Sequence, residues 1–290
     1  MLTILFDGIA YGMLLFVLAV GLSVTMGLMN FINLAHGAFA MTGGYVTVLL
    51  MQRMDVPFLL CLPAAFISTA VLGVIFERTL YRHMYHRSHL DQVLFSIGLT
   101  FMSVASMTYA MSSSQQIIQL PEWLKGRTEI GEGTWVLGMG HYRIFLIVIC
   151  ALLAWGLQAI LTHSRFGSRL RASVDDQRVA AGLGINVNGI FMITFAAGSG
   201  LAGLGGALGI EVLGLDPSFP LKYLIYFLIV VAVGGTSSIT GPLFAALLLG
   251  IADVAGKYYI PQMGAFIVYT LMIVILLWRP HGLFERKGGK

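Results

Sequence analysis

The chain has 290 residues, 58% of them hydrophobic and only 10% charged, with 35 Gly, 15 Met and a formal net charge of +4. Such a composition lies outside the range of soluble globular domains and describes an integral membrane protein. It leaves room for about eight to ten spans of ~20 residues and none for a soluble catalytic domain, and its small positive charge sits on loops, which argues against nucleic-acid binding.

Apolar runs occur near 4–28, 34–51, 57–77, 92–111, 143–162, 189–213, 221–235, 241–256 and 264–278. The first 28 residues carry no Lys or Arg, and their run exceeds a signal-peptide core, so a cleaved leader is not expected. Connections on one side carry Arg78, Arg82, Arg87, Arg165, Arg169, Arg171, Arg178, Arg279, Arg286, Lys287 and Lys290, eleven basic residues. The other side receives six: Arg53, Lys125, Arg127, Arg143, Lys222 and Lys257. The positive-inside rule therefore predicts an external N-terminus and a cytoplasmic C-terminus, a parity that nine crossings satisfy. Residues 221–235 reach only about 22 Å at 1.5 Å per residue, so seven crossings plus re-entrant pieces stay open beside nine full ones. The expected fold class is thus an all-α polytopic membrane protein of about eight to nine helices, some broken or re-entrant. It forms a single domain over 1–290, with a long inward loop at 163–188 and an outward one at 112–142.

Residues 29–45 read MNFINLAHGAFAMTGGY, an apolar run broken by two Asn, a His and a Gly. In hydrocarbon each free backbone N–H or C=O costs several kcal/mol, so such a break persists only where protein or a watery cavity satisfies it. Asn30, Asn33 and His36 recur at three-residue spacing and share a face wherever the chain is helical, and Asn33 suits the cap of a helix starting at Leu34. His36 reads either as a buried imidazole bonded to a carbonyl or as a substrate contact. Because residues 4–28 already suffice to cross, the motif is expected toward the cytoplasmic end, in gating or packing.

A second break, Gly234, Gly235, Thr236, Ser237, Ser238, Gly241 and Pro242, lies between 221–235 and 241–256. Its hydroxyls can satisfy freed backbone groups, and a simple interhelical turn explains it equally well. Helix, polar break and helix thus occur in both halves of the chain, and paired interruptions of this kind mark transporter pathways. Polar, uncharged lining suits a neutral or zwitterionic solute.

Gly198, Gly200 and Gly203 match G-x-G-x-x-G, but no strand precedes them and they lie inside a span. Gly198, Ala202 and Gly206, with Gly205 and Gly209, instead form a ladder for close helix packing. Cys61 and Cys150 sit in apolar runs and read as packing residues; no metal-ligand spacing or P-loop occurs. Asp7, Asp91, Glu211 and Asp253 fall near ends of apolar runs, within reach of headgroups or of a functional site. Segment 163–188 alternates basic and acidic residues with Ala, which predicts a short amphipathic helix between Leu170 and Leu183.

Three stretches, NFINLAHGAFAMTGGY at 30–45, FGSRLRASVDDQRVAAGLGIN at 166–186 and AVGGTSSITGPLFAALLLGIADV at 232–254, closely resemble the permease subunits of bacterial branched-chain amino-acid ABC importers, in the H-type branch of the leucine/isoleucine/valine systems. The family typically reads N-F-A-H-G where this chain has Asn33, Leu34, Ala35, His36 and Gly37 after an earlier Asn30. The resemblance implies a bacterial inner-membrane importer with a second permease chain, two cytoplasmic ATPases that bind ATP and Mg, and a periplasmic solute-binding protein. No cofactor is expected on this chain. Arg169, Arg171, Asp175 and Asp176 would then contact the ATPase, with Ala180, Ala181 and Gly184 seated in its groove. Asn30, Asn33, His36, Gly37 and Gly234 through Ser238 would line the pathway or gate. Branched-chain or other hydrophobic amino acids are the expected cargo; urea, short amides and aromatic acids are alternatives within the family. A passive channel fits less well, since paired Asn-Pro-Ala motifs are missing and a channel needs no coupling loop.

Overall fold

The computed structural model describes residues 1–29, 31–85, 87–130, 137–235, 238–279 and 282. Every apolar run read from the sequence is a helix: α1 (Leu2–Met29), α2 (His36–Met54), α3 (Phe58–Thr79), α4 (His89–Met111), α6 (His141–His163), α9 (Val187–Leu213), α10 (Phe219–Gly234), α11 (Thr240–Tyr259) and α12 (Gly264–Trp278). A one-turn helix α5 (Glu122–Lys125) and an antiparallel pair, β1 (Arg127–Ile130) with β2 (Leu137–Gly140), break the all-α pattern in the 112–140 connection. Two short helices, α7 (Arg165–Asp175) and α8 (Gln177–Gly182), follow α6.

Among the described residues six helices, α1, α3, α4, α6, α9 and α11, are long and apolar enough to cross a membrane. α10 and α12, at 16 and 15 residues, are shorter. α2 has 19 residues but carries the polar His36, Thr42, Thr47, Gln52 and Arg53; much of it is buried in protein, so hydropathy toward lipid does not constrain it. The molecule is therefore a helical, multi-pass membrane protein.

Helix ends follow local chemistry. Ser88 caps α4 by accepting from the Asp91 amide at 3.2 Å, and its hydroxyl donates to the Asp91 carboxylate at 2.9 Å. Asn186 caps α9 by accepting from Gly189 N at 3.0 Å, and Pro220 sits in the first turn of α10, where its missing N–H is not needed. In the linker before α10, burial works against the Asp216 carboxylate, but bonds from Lys222 and Ser218 outweigh it and hold its pKa below the usual range.

α9 is the centre of the bundle, packed by α1, α2 and α3, while α11 lies along α1. The packing is backbone to backbone. A Cβ on Gly43 would overlap the Gly203 backbone, one on Gly206 the Ala40 carbonyl and one on Gly21 the Gly198 carbonyl. The predicted ladder thus faces two helices: Gly198 abuts α1, Gly206 abuts α2, and Ala202 between them is fully buried. Gly200 meets the Phe66 ring and Gly203 the Thr69 side chain, in mid-helix, where no phosphate loop can form.

Two expectations about element bounds are corrected. α2 starts at His36 rather than Leu34, with Ala35 at the N-cap position and no side-chain cap. The segment expected as one helix from Leu170 to Leu183 is two, because Asp176 adopts extended backbone and uses its carboxylate to start α8.

Replacing Gly206 by Leu is expected to cost at least the ~1–3 kcal/mol of a typical overpacked core and to shift the detergent-solubilised protein to aggregate in size-exclusion chromatography. Gly98→Leu on α4, where nothing lies within 4 Å of an added Cβ, should elute as the unmodified protein does.

Candidate functional site

In the first break the chain turns back along α1 after Met29, and hydrogen bonds from α1, α4 and the Asn33 side chain satisfy several of its backbone groups. Phe31 N donates to Thr25 O at 3.3 Å, Ile32 N to the Gln92 side-chain carbonyl at 3.2 Å, and the Thr100 hydroxyl to Leu34 O at 3.4 Å. Asn33 is buried, and its Oδ1 accepts from Ala35 N at 3.1 Å and from the Tyr81 hydroxyl at 3.0 Å. Asn33 therefore makes an Asx turn and ties the break to the end of α3, instead of capping α2. Phe31 packs edge-on against Tyr81 and Tyr85, and the Tyr85 hydroxyl donates to the buried Glu77 carboxylate at 3.2 Å.

His36 is buried, with Nε2 2.9 Å from Leu18 O and its ring edge-on to Phe227 of α10. Leu18 precedes Met29 by eleven residues, about 16 Å along the helix axis. The imidazole consequently lies beside the middle of α1, deeper than a break at the end of the first span suggests, because the 31–35 segment folds inward. Hydrogen bonding to a backbone carbonyl is the arrangement of a structural histidine. Gly37 lets Pro220 approach; a Cβ there would lie 2.9 Å from Pro220 Cα.

In the second break Gly234 packs against Gly241 and Pro242, and Gly235 takes φ +80, which only glycine adopts without strain. The Ser238 hydroxyl accepts from Gly241 N and from the Thr240 hydroxyl, both at 3.3 Å. Asn30, Thr236 and Ser237, three of the expected pathway residues, lie outside the described residues.

α1 borders both breaks. Leu18 and Thr25 accept from the first break, while Ser23 and Val24 share with Ser238 and Ile239 a cavity of about 250 Å³. Gln158, Leu161 and Thr162 of α6 and Gly167, Leu170 and Arg171 of α7 line the rest of the cavity. The sequence reading passed over this α1 stretch and the Gln92, Ser96, Thr100 stripe of α4. Polar residues at 92, 96 and 100, four apart at the start of the run 92–111, were the available signal.

Among the expected coupling residues, Arg169, Asp175, Asp176, Ala181 and Gly184 are exposed. Arg171 is exposed too, but its guanidinium donates to Leu161 O at the end of α6. Asp176 accepts from Arg178 N at 2.8 Å and Val179 N at 3.0 Å. Ala180 is buried against its own chain, and Gly184, φ +82, ends α8 with Ile185 N bonded to Ala180 O at 3.1 Å, a Schellman arrangement. Gly184 is therefore required by its backbone conformation, and nothing lies within 4 Å of a Cβ placed on it. Val179 and Leu183 stand exposed at 59% and 75% on this short helix, an apolar pair the sequence reading did not single out.

Asn33→Ala leaves the Tyr81 hydroxyl and Ala35 amide without their acceptor and is expected to cost ~1–3 kcal/mol. Tyr81→Phe should cost less, and the double variant should be less destabilised than the sum of the singles, read as thermal unfolding of the purified protein.

The chain is 29% identical to the high-affinity branched-chain amino acid transport system permease protein BraD of Pseudomonas aeruginosa, over 97% of this chain and 95% of that protein. It is 27% identical to the corresponding protein LivH of Escherichia coli K12, over 97% and 94%. With the probable branched-chain amino acid transport permease protein LivH of Methanocaldococcus jannaschii it shares 26%, over 97% and 91%. No solved structure matches it. The family model described as branched-chain amino acid transport system / permease component matches residues 4–276, from the first turn of α1 almost to the end of α12, and the chain belongs to that family.

Proposed function

We propose that this chain is one of two permease subunits of an ATP-driven importer for branched-chain or other hydrophobic amino acids in a bacterial inner membrane. Its partners are a second permease chain, two cytoplasmic ATP-binding subunits that hold ATP and Mg, and a periplasmic solute-binding protein. The N-terminus lies outside, α7, α8 and the C-terminus lie inside, and nine helices cross, with α2 and α10 starting within the bundle. This chain changes no bond. It supplies two conformations whose relative stability its partners and cargo alter.

The observation that carries this reading is the shared cavity at α7. The α7–α8 pair offers exposed Arg169, Asp175, Asp176, Val179 and Leu183, while Gly167, Leu170 and Arg171 of α7 line a cavity with α1 and the second break. A displacement of α7–α8 by an ATPase thus acts on α1, which α7 touches, and on the cavity that residues 23–24 and 238–239 line with it. Residues 18–25 of α1 extend the path to His36 and the first break. His36, Asn33, Gly37 and the Gly234–Ser238 segment are the proposed gate, with the His36 to Leu18 bond as a joint that either holds or parts.

Reversing both Asp175 and Asp176 to Lys in the assembled complex is expected to lower ATP hydrolysis stimulated by loaded binding protein about tenfold, the scale of a ~1.4 kcal/mol loss. Asp176→Asn separates charge from capping, since Asn caps about as well as Asp, whereas Ala costs ~1 kcal/mol of helix stability. Stimulation that follows the charge supports docking; unchanged stimulation in the double Lys variant removes α7–α8 from the ATPase contact. His36→Leu is expected to slow reconstituted uptake more than it reduces recovery of the assembled complex, and uptake at the unmodified rate would leave His36 a purely structural residue.

A further inference from the structure

At the end of the bundle that carries the N-terminus, α1, α6, α9 and α11 enclose a partly open pocket of about 180 Å³ that none of the breaks touches. Four charged side chains line it. Arg143 of α6 pairs with Asp7 of α1, and Lys257 pairs with Asp253 at 2.6 Å on α11. The remaining wall is aliphatic, Ala10, Leu146, Val212 and Val254, with the Tyr11 ring beneath the Lys257 ammonium at 5.7 Å.

The two signs of charge are held differently. Both carboxylates are fixed: Asp253 is 2% and Asp7 18% exposed, and the Tyr226 hydroxyl donates to Asp253 at 3.2 Å. Both cationic heads are on long stems at 57% and 43% exposure, free to swing toward an incoming group. A cation entering this pocket meets Arg143 and Lys257, an anion meets Asp7 and Asp253, and a neutral solute leaves both pairs unchanged. Only a ligand with both charges offers each member of the pairs a replacement partner, so that no buried charge is stranded. An enclosed volume on the order of 150 Å³ already holds a six-carbon ring, and the aliphatic wall suits a branched alkyl chain.

We infer that this pocket is a receiving site for a free aliphatic amino acid, with its ammonium between Asp7 and Asp253, its carboxylate on Arg143 and Lys257, and its side chain against Leu146, Val212 and Val254. The inference rests on the import function proposed above and adds where the cargo first meets this chain. Exchange of existing ion pairs for new ones keeps the site weak, as a transit site must be. Asp253, an acidic residue buried in an apolar helix, thereby acquires a role beyond bracing α11.

The test uses the complete complex in lipid nanodiscs without binding protein, and saturation-transfer NMR with leucine, leucinamide and 4-methylpentanoate as probes. Leucine should give a transfer signal that drops at least fivefold for either analogue and for leucine with Asp253→Asn, since sites built around a polar group reject ligands that lack it. In proteoliposomes with loaded binding protein, Asp253→Asn should lower leucine uptake at least tenfold, judged on variants that assemble with all partners. The exchange Asp253→Lys with Lys257→Asp keeps an i, i+4 ion pair but inverts it. A brace tolerates that exchange, and the proposed site does not. Uptake restored by the exchange, or equal signals from the three probes, overturns the receiving site while leaving import intact. An unmodified complex that takes up no amino acid overturns both readings.

Discussion

The approach of α9 to its neighbours sets the positions of everything else. Glycines at 21, 43, 198, 203 and 206 bring three helices to backbone contact, where no larger residue fits. Lipid offers apolar side chains no gain over protein, so close van der Waals packing and internal hydrogen bonds are what distinguish this bundle from dispersed helices. The Gly21 to Gly198 contact also fixes the depth of α1, and His36 Cε1 lies beside the same Gly21 position. The first break is therefore registered against α1 by the packing that builds the core.

On that scaffold, α1 takes an unusual part for a first helix. Membrane-facing composition would place it at the periphery, yet it is among the most buried helices, whereas α4 is largely exposed. Burial lets its 18–25 stretch satisfy the first break from one side while lining a cavity with the second break and α7 from the other. Opposite it, the polar stripe of α4 supplies one acceptor, Gln92, and one donor, Thr100, to the 31–35 backbone. The first break is tolerated in an apolar setting because α1 and α4 divide part of its hydrogen bonding between them.

The same reasoning separates residues that hold shape from those available to a partner. Arg171, Ala180 and Gly184 are occupied within the chain, by the α6 carbonyl, by burial and by a left-handed turn. Arg169, Asp175, Asp176, Val179 and Leu183 present their side chains outward, although Asp176 also starts α8. A motif that resembles a family's coupling segment thus divides into a structural half and an exposed half, and only contacts in three dimensions show the division.

Much was legible in the sequence. Nine apolar runs became nine helices, since hydrophobic length is a one-dimensional property. Both breaks were visible as polar and glycine-rich interruptions, and the family emerged from three contiguous motifs. The sequence did not reveal the early turn that delays α2 to His36, because Asn33 had a capping role available nearby in sequence and a Tyr81 hydroxyl available only in space. It did not reveal the kink at Asp176, where one carboxylate chooses between continuing a helix and capping the next. Nor did it show Asp7 beside Arg143, brought together from α1 and α6, or Asp253 beside Tyr226, brought together by the packing of α11 on α10. Composition and periodicity determine which segments become helices; which faces meet, and hence which polar groups find partners, depends on packing between distant segments and is decided only in the folded bundle.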